Sequence, residues 1–297
     1  MTNSIEDLLF STEQVRQLFK QSDEKRDEGL PKKIPEVERF DNILYGKDPV
    51  WNILDIYLPK KRNRNVPIII NFHGGGYVYG TKETYQFYGM SLAKQGFGFV
   101  NITYRLAPEV VFPEELNDIN DAIHWISHHL EEYDLDGNNV FFVGDSAGGQ
   151  MALQYLTILC NPKFQKLFGY EHPKLAIRAA AINCGATFLN LPGTISGPLE
   201  AYFPIEIQKE FSEHLKTEEY LTKECPPLYI MTSSNDFIRD HSIRLQGFLI
   251  AKKIEHEFHS YGNFENPRNH VFHCDIRDEI ANQCNLDELN FFRKYLK

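Results

Sequence analysis

The chain has 297 residues, enough for one large α/β domain or two smaller ones, and its 42% hydrophobic and 24% charged residues are the balance of a globular protein with a sizeable core. With 41 acidic and 31 basic residues the formal charge is −10, which disfavours nucleic acid and anionic membranes as partners and favours a neutral or cationic small molecule. Five widely spaced cysteines without a Cys-x-x-Cys pair point to neither a disulfide scaffold nor a structural zinc site. The start lacks a signal-peptide pattern and no apolar run reaches about 18 residues, so a cytoplasmic location without membrane attachment is the default.

In chain order, Ser4 to Phe19 has helical spacing, with Ile5, Leu8, Leu9, Val15, Leu18 and Phe19 as its apolar positions. The charged stretch Lys20 to Glu28 and the Pro31 to Pro35 segment read as a linker. Val37 to Leu44 and Trp51 to Leu58 are strands around a Tyr45-Gly46-Lys47-Asp48 turn and predict an edge hairpin. Lys60 to Asn65 is a basic surface loop. Val66 to Phe72 and Phe97 to Thr103 are nearly continuous apolar runs, suited to strands covered on both faces. Leu116 to Leu130 is an amphipathic helix, and Val140 to Val143 a further strand. Strands follow at Ala176 to Ile182, Pro227 to Thr232 and Ile254 to Phe258; helices at Asp240 to Ala251 and about Asp275 to Leu296. Thr187 to Thr222, with several prolines and glycines and a helical stretch near Ile205 to Leu215, is too long for a plain connection and reads as an insertion. Alternating strands and helices predict an α/β fold, a mostly parallel central sheet with helices on both faces.

Gly144-Asp145-Ser146-Ala147-Gly148 lies between the Val140 to Val143 strand and an apolar helical stretch beginning near Met151. Strand, sharp turn and helix are the context of a nucleophile elbow, which exposes a serine at a helix N-terminus. A serine hydroxyl needs a base, and the base needs an orienting acid. Asp236 and Asp240 follow the Pro227 to Thr232 strand, and Asp236 lies nearer the strand end; His270 and His273 come one strand later. His256 and His259 border a strand and are weaker candidates. The tetrahedral intermediate needs waiting donors, for which the N–H groups of Gly74, Gly75 and Ala147 are placed. His73 holds the glycine loop.

His73-Gly74-Gly75-Gly76, Tyr104-Arg105-Leu106-Ala107-Pro108-Glu109 and Gly144 to Gly148 together resemble the hormone-sensitive-lipase family of α/β-hydrolase esterases. The resemblance covers the body from about Val37 onward. It implies an Asp-x-x-x-Asp loop, matched by Asp236 to Asp240 with Asp236 catalytic, and a His-x-Phe base, matched by His270-Val271-Phe272. It also implies an α/β-hydrolase fold with a helical cap. The resulting division is an arm at 1–34, core at 35–186, a cap insertion at 187–222 and core again at 223–297.

The expected activity is a serine carboxylesterase with the triad Ser146, Asp236 and His270, acting on small-molecule esters with short acyl chains. It needs no metal or organic cofactor, because side chains and backbone dipoles serve each step. The same machinery would serve an amidase or formamidase. An inert ligand-binding protein of the same fold is the third reading, disfavoured by the presence of His270. The sequence leaves homo-oligomerisation open.

Overall fold

The computed structural model describes residues 5–63 and 65–297. Met1 to Ser4 and Arg64 of the basic loop lie outside the described residues. Each apolar run forms a strand: β1 (Val37–Leu44), β2 (Ile53–Pro59), β3 (Val66–Phe72), β4 (Gly98–Ile102), β5 (Leu135–Asp145), β6 (Ile177–Asn183), β7 (Leu228–Ser233) and β8 (His256–Tyr261). They build one eight-stranded sheet in the order β1-β2-β4-β3-β5-β6-β7-β8. The β1–β2 and β2–β4 pairs are antiparallel, and every pair from β4 through β3 to β8 is parallel. The chain order reverses between β3 and β5, so loops from both halves meet beyond the carboxyl ends of the central strands.

Helices cover both faces. α3 (Glu114–His128) and α4 (Ala147–Cys160) bury Ile119, Ile123, Met151 and Tyr155 against one side, with α7 (Arg239–Lys252) adding Leu245 and Leu249. α2 (Gln86–Ala93) and α8 (Glu279–Arg293) bury Tyr88, Met90, Leu289 and Phe292 against the other. Two helices carry no expectation from the sequence. α2 is buried on nearly all sides, so it lacks an apolar stripe. α5 (Pro162–Phe168) starts at an Asn161 cap, with Pro162 next, and ends at Gly169 with φ 70°. The insertion is mostly turns: its one α-helix is α6 (Ile205–Glu210), shorter than expected, flanked by 3₁₀ turns at Gly197–Ala201 and Thr217–Tyr220.

The arm departs furthest from its reading. α1 (Ile5–Asp27) continues through the charged stretch expected to be linker. Of its apolar positions, Leu8 and Val15 pack against the core, whereas Leu9, Leu18 and Phe19 are exposed. Polar contacts hold it as well. Arg16 donates to the Val78 and Ala107 carbonyls at 2.7 and 2.8 Å and pairs with Glu109. Arg26 donates to the Thr84 carbonyl at 2.9 Å, and Arg277 donates to the carbonyls of Arg26 and Glu28.

Cys160 and Cys225 form a disulfide. Nothing in the sequence signals this pair: the 65-residue separation hides it, and the fold brings the end of α4 to the loop before β7. Stable disulfides belong to oxidising compartments, so the bond runs against the cytoplasmic default. Cys184, Cys274 and Cys284 are free and buried. Among the described residues no helix is long and apolar enough to cross a membrane.

Candidate active site

β5 ends at Asp145 and α4 begins at Ala147, so the turn between them is Ser146 alone. Its backbone has φ 52° and ψ −120°, a combination that costs free energy in a non-glycine residue and persists only where surroundings impose it. They do so here. The Ser146 N–H donates to the Asn183 carbonyl at 3.0 Å, and its carbonyl accepts from Gln150 and Ala186 at 3.1 and 2.9 Å. A Cβ on Gly148 would stand 2.0 Å from the Phe72 carbonyl oxygen, so only glycine lets α4 lie this close to β3. At the first position of α4, the Ala147 N–H has no intrahelical acceptor.

Across from the elbow, His73 is fully buried and stacks on Tyr104 with ring centroids 4.0 Å apart. Burial lowers its pKa to about 4, which leaves it neutral. Its Nδ1 lies 2.8 Å from the Gly74 carbonyl, and Tyr104 Oη donates to the His73 carbonyl at 2.6 Å. The Gly75 carbonyl accepts from Val78 and Tyr79 at 3.2 and 3.1 Å. The Gly74 N–H donates to Tyr85 Oη at 2.9 Å, and Tyr85 Oη donates to Asp145 Oδ2 at 2.8 Å. Among the described residues, the N–H groups of Gly75, Gly76 and Ala147 have no acceptor.

The loops after β7 and β8 bring Asp236 and His270 together, with Oδ1 to Nδ1 at 2.7 Å. Asp236 also accepts from Thr232 Oγ1 at 2.9 Å and from the Ile238 N–H at 3.0 Å. Burial opposes ionisation of Asp236, but hydrogen bonding and charge from His270 outweigh it and hold the carboxyl below its ordinary 3.8. A bridge between Asn235 and Asn269 pins the two loops side by side. Cys184 follows Asn183, the acceptor of the Ser146 N–H, and its Sγ lies within 4.8 Å of ligand atoms of both Asp236 and His270. Pair and elbow therefore share one end of the sheet. Among the described residues no hydrogen bond joins Ser146 Oγ to His270, an open arrangement of the kind that tightens around substrate.

The rival candidates lie elsewhere. Asp240 is exposed and 3.4 Å from Arg244. His273 is fully buried against Tyr88, and burial lowers its pKa to about 3. His256 meets the Ile254 carbonyl, and His259 stacks on Tyr229. Cys184, Asp236 and His270 are close enough to form a three-donor metal cluster, yet the 2.7 Å bond between Asp236 and His270 already engages two of the donors. Burial pushes the Cys184 thiol far up, away from the thiolate a metal would need.

Sequence reasoning missed Tyr85, Thr232 and Phe237. Thr232 was legible as the residue four before Asp236 at a strand end. Phe237 adjoins the acid, is 75% exposed and sets its ring 4.4 Å from that of His270. Tyr85 lies outside every motif.

Sheet order, elbow and strand-end loops define the α/β-hydrolase fold. The BD-FAE family model matches residues 54–246, most of the chain, and the protein belongs to that family. This corrects the resemblance to the hormone-sensitive-lipase family. Two of the motifs that carried it, His73 to Gly76 and Gly144 to Gly148, are demanded by oxyanion-loop and elbow geometry, so they mark the fold more than one family.

Among relatives, a putative alpha/beta hydrolase of Acanthamoeba polyphaga mimivirus is 29% identical over 62% of this chain and 56% of its own length. The carboxylesterase NlhH of Mycobacterium tuberculosis is 26% identical over 79% of this chain and 78% of its own length. Among solved structures, esterase B from Lactobacillus rhamnosis, with a tributyrin phosphonate, superposes with a TM-score of 0.89 over 99% of this chain and 96% of that one, at 24% identity. An esterase from Pyrobaculum calidifontis gives 0.74 over 95% and 92%, at 22% identity.

Proposed function

We propose that the protein is a serine carboxylesterase that hydrolyses small esters through an acyl-enzyme on Ser146. The observation that carries this reading is the 2.7 Å Asp236–His270 pair beside a serine held at φ 52°. Asp236, ionised, holds the Nδ1–H of His270 and leaves Nε2 to take the Ser146 proton. Ser146 Oγ attacks the ester carbonyl carbon. The N–H groups of Gly75, Gly76 and Ala147 receive the resulting oxyanion. Gly74, expected as a donor from the sequence, is replaced by Gly76 in this assignment because Tyr85 engages its N–H. When the intermediate collapses, His270 returns the proton to the leaving alcohol. It then deprotonates a water that attacks the acyl carbonyl, and acid and free Ser146 result.

The substrate class is short-chain esters. Tyr77 follows Gly76 directly and packs on Tyr202 and Phe203 with centroids 4.9 and 5.0 Å apart. These rings are almost fully buried, and in this reading they bound the acyl end of the site. The named activity of NlhH, a carboxylesterase, supports the ester class but not the chain length. α1 and the 187–222 insertion meet at the Gly197–Ala201 turn and form the cap. A cytoplasmic home stays a proposal of composition alone; alkylation of thiols quenched in cells tests it, and a persisting Cys160–Cys225 bond would contradict it.

The test is labelling by a fluorophosphonate with hydrolysis of p-nitrophenyl acetate, butyrate, hexanoate and longer esters. A Ser146 adduct by mass spectrometry, its loss in Ser146→Ala, and a rate that falls beyond hexanoate are expected. An unlabelled, inactive but folded protein would overturn the esterase reading.

A further inference from the structure

We propose that Tyr85 is a positioning residue for the oxyanion hole, and that the C-terminal half of α1 sets its place through Arg26. This rests on the esterase reading above. The oxyanion donors come from two separate segments, Gly75 and Gly76 after β3 and Ala147 after β5. A backbone N–H cannot be aimed by its own side chain. It is aimed by whatever the segment is fastened to.

Tyr85 fastens both segments. Its hydroxyl accepts the Gly74 N–H at 2.9 Å and donates to Asp145 Oδ2 at 2.8 Å. Gly74 immediately precedes the two donor glycines, and Asp145 immediately precedes Ser146. One phenol oxygen therefore ties together the two segments that carry the oxyanion donors. The fit is close: a Cβ on Gly74 would stand 2.4 Å from Asp145 Oδ2 and 2.9 Å from Tyr85 Oη. Tyr85 is 6% exposed and Asp145 2%, so water does not compete for these bonds. Burial also keeps the phenol protonated and able to donate.

Tyr85 in turn is held from outside. It ends the 3₁₀ turn Lys82–Tyr85, whose Thr84 carbonyl accepts from Arg26 Nη2 at 2.9 Å. Asp23 and Asp27 orient the Arg26 guanidinium at 2.8 and 2.7 Å, and Arg277 fastens the end of α1 by its carbonyls. α1 thus reaches the reaction centre through Arg26, Thr84 and Tyr85.

The test replaces Tyr85 with Phe, which keeps the ring and removes both hydrogen bonds. With p-nitrophenyl butyrate, kcat is expected to fall about 10²-fold, the scale of a small misplacement of catalytic groups. KM should change by no more than about twofold, since ground-state binding does not use the hole. Affinity for a short-chain trifluoromethyl ketone, which forms a tetrahedral oxyanion on Ser146, should fall in step with kcat. Affinity for the corresponding secondary alcohol, which forms no adduct, should not. The conservative Asp145→Asn keeps an acceptor for the phenol and is expected to retain most of kcat. Arg26→Ala should lower kcat and ketone affinity together by about tenfold, a partial misplacement, and it carries the test should Tyr85→Phe fail to fold. Unchanged kcat in Tyr85→Phe, or equal losses of ketone and alcohol affinity in either variant, would overturn the proposal. A wild type that neither labels nor hydrolyses ester fails the esterase reading instead, so the two failures are distinct.

Discussion

The two sides of Ser146 are built differently. On one side, Asp236 and His270 act through side chains, and Thr232, the Ile238 N–H and the Asn235–Asn269 bridge hold them by hydrogen bonds. On the other, the donors are backbone N–H groups, placed by contacts so tight that Gly75 and Gly148 tolerate no Cβ. The first side is lost by changing chemistry while keeping shape. The second is lost by changing shape while keeping chemistry.

Asp236→Asn is the largest break on the chemical side. The amide keeps the volume of the carboxylate but favours the wrong tautomer of the imidazole, and a fall of about 10⁴ in kcat is expected. The melting temperature, read beside the rate, should move little. A loss under tenfold would remove Asp236 from the triad. Gly75→Ala is the matching break on the shape side. Its Cβ would stand 2.0 Å from the Tyr79 carbonyl oxygen, and its φ of 121° is strained for any side chain. The loop must move, which removes a donor without altering an ionisable group, and kcat should fall about 10²–10³-fold. The acid limb of kcat/KM should keep its midpoint in Gly75→Ala, because His270 is untouched; a shifted midpoint would join the two sides.

A smaller effect separates elbow support from chemistry. Glu288 on α8 is buried, and its carboxylate accepts from Asn183 Nδ2 and Tyr88 Oη, both at 2.7 Å. Asn183 is the residue whose carbonyl holds the Ser146 N–H. Burial pushes Glu288 up to about 7 against an ordinary 4.5. A raised carboxyl contributes stability that is fully present below the unfolded pKa and is lost as pH rises through the folded one. Its contribution therefore declines across the interval between those values and is flat above it. Glu288→Gln removes this dependence. Relative to the native chain it should gain up to about 3 kcal/mol of stability on going from pH 5 to pH 8, since each pH unit between the two pKa values is worth about 1.4 kcal/mol. Chemical denaturation at the two pH values measures it, and parallel curves would show that Glu288 is ionised in the folded protein.

Much of this contrast could be read before the structure. Val66 to Phe72 and the Gly144 to Gly148 turn announce strand and elbow because strand burial and elbow sterics are local demands. His270 and Asp236 follow from chain order. The oxyanion side was less legible: which glycine N–H is free depends on Tyr85, 11 residues beyond Gly74 and in no motif. α2 escaped because full burial erases the apolar stripe, whereas α5 escaped although its Asn161, Pro162 and Gly169 signals were present. The Cys160–Cys225 pair is a product of tertiary approach. The arm misled in another way, since its apolar spacing suggested hydrophobic packing along its length, while Leu9 and Leu18 are exposed and Arg16 and Arg26 fasten it by hydrogen bonds.

That last difference divides α1 itself and gives the smallest expected effect. Its first half packs Leu8 and Val15 on the core and leaves Leu9, Phe10 and Leu18 exposed. Its second half carries Arg26 to Thr84. A chain starting at Lys20 loses the first half and keeps the Asp23, Arg26 and Asp27 cluster; one starting at Pro35 loses both. The shorter deletion removes apolar cover and the Arg16 contacts to the Val78 and Ala107 carbonyls. It should lower kcat/KM about threefold for hexanoate and less for acetate, a fraction of the transfer free energy of one or two methylenes. The longer deletion should add a fall in kcat that is the same for acetyl, butyryl and hexanoyl esters, because the oxyanion forms at the carbonyl whatever the chain beyond it. Circular dichroism and melting curves check that both chains fold. A loss graded by acyl length in both deletions would make all of α1 a lid, whereas a uniform loss confined to the Pro35 chain would leave the first half without a part in substrate binding.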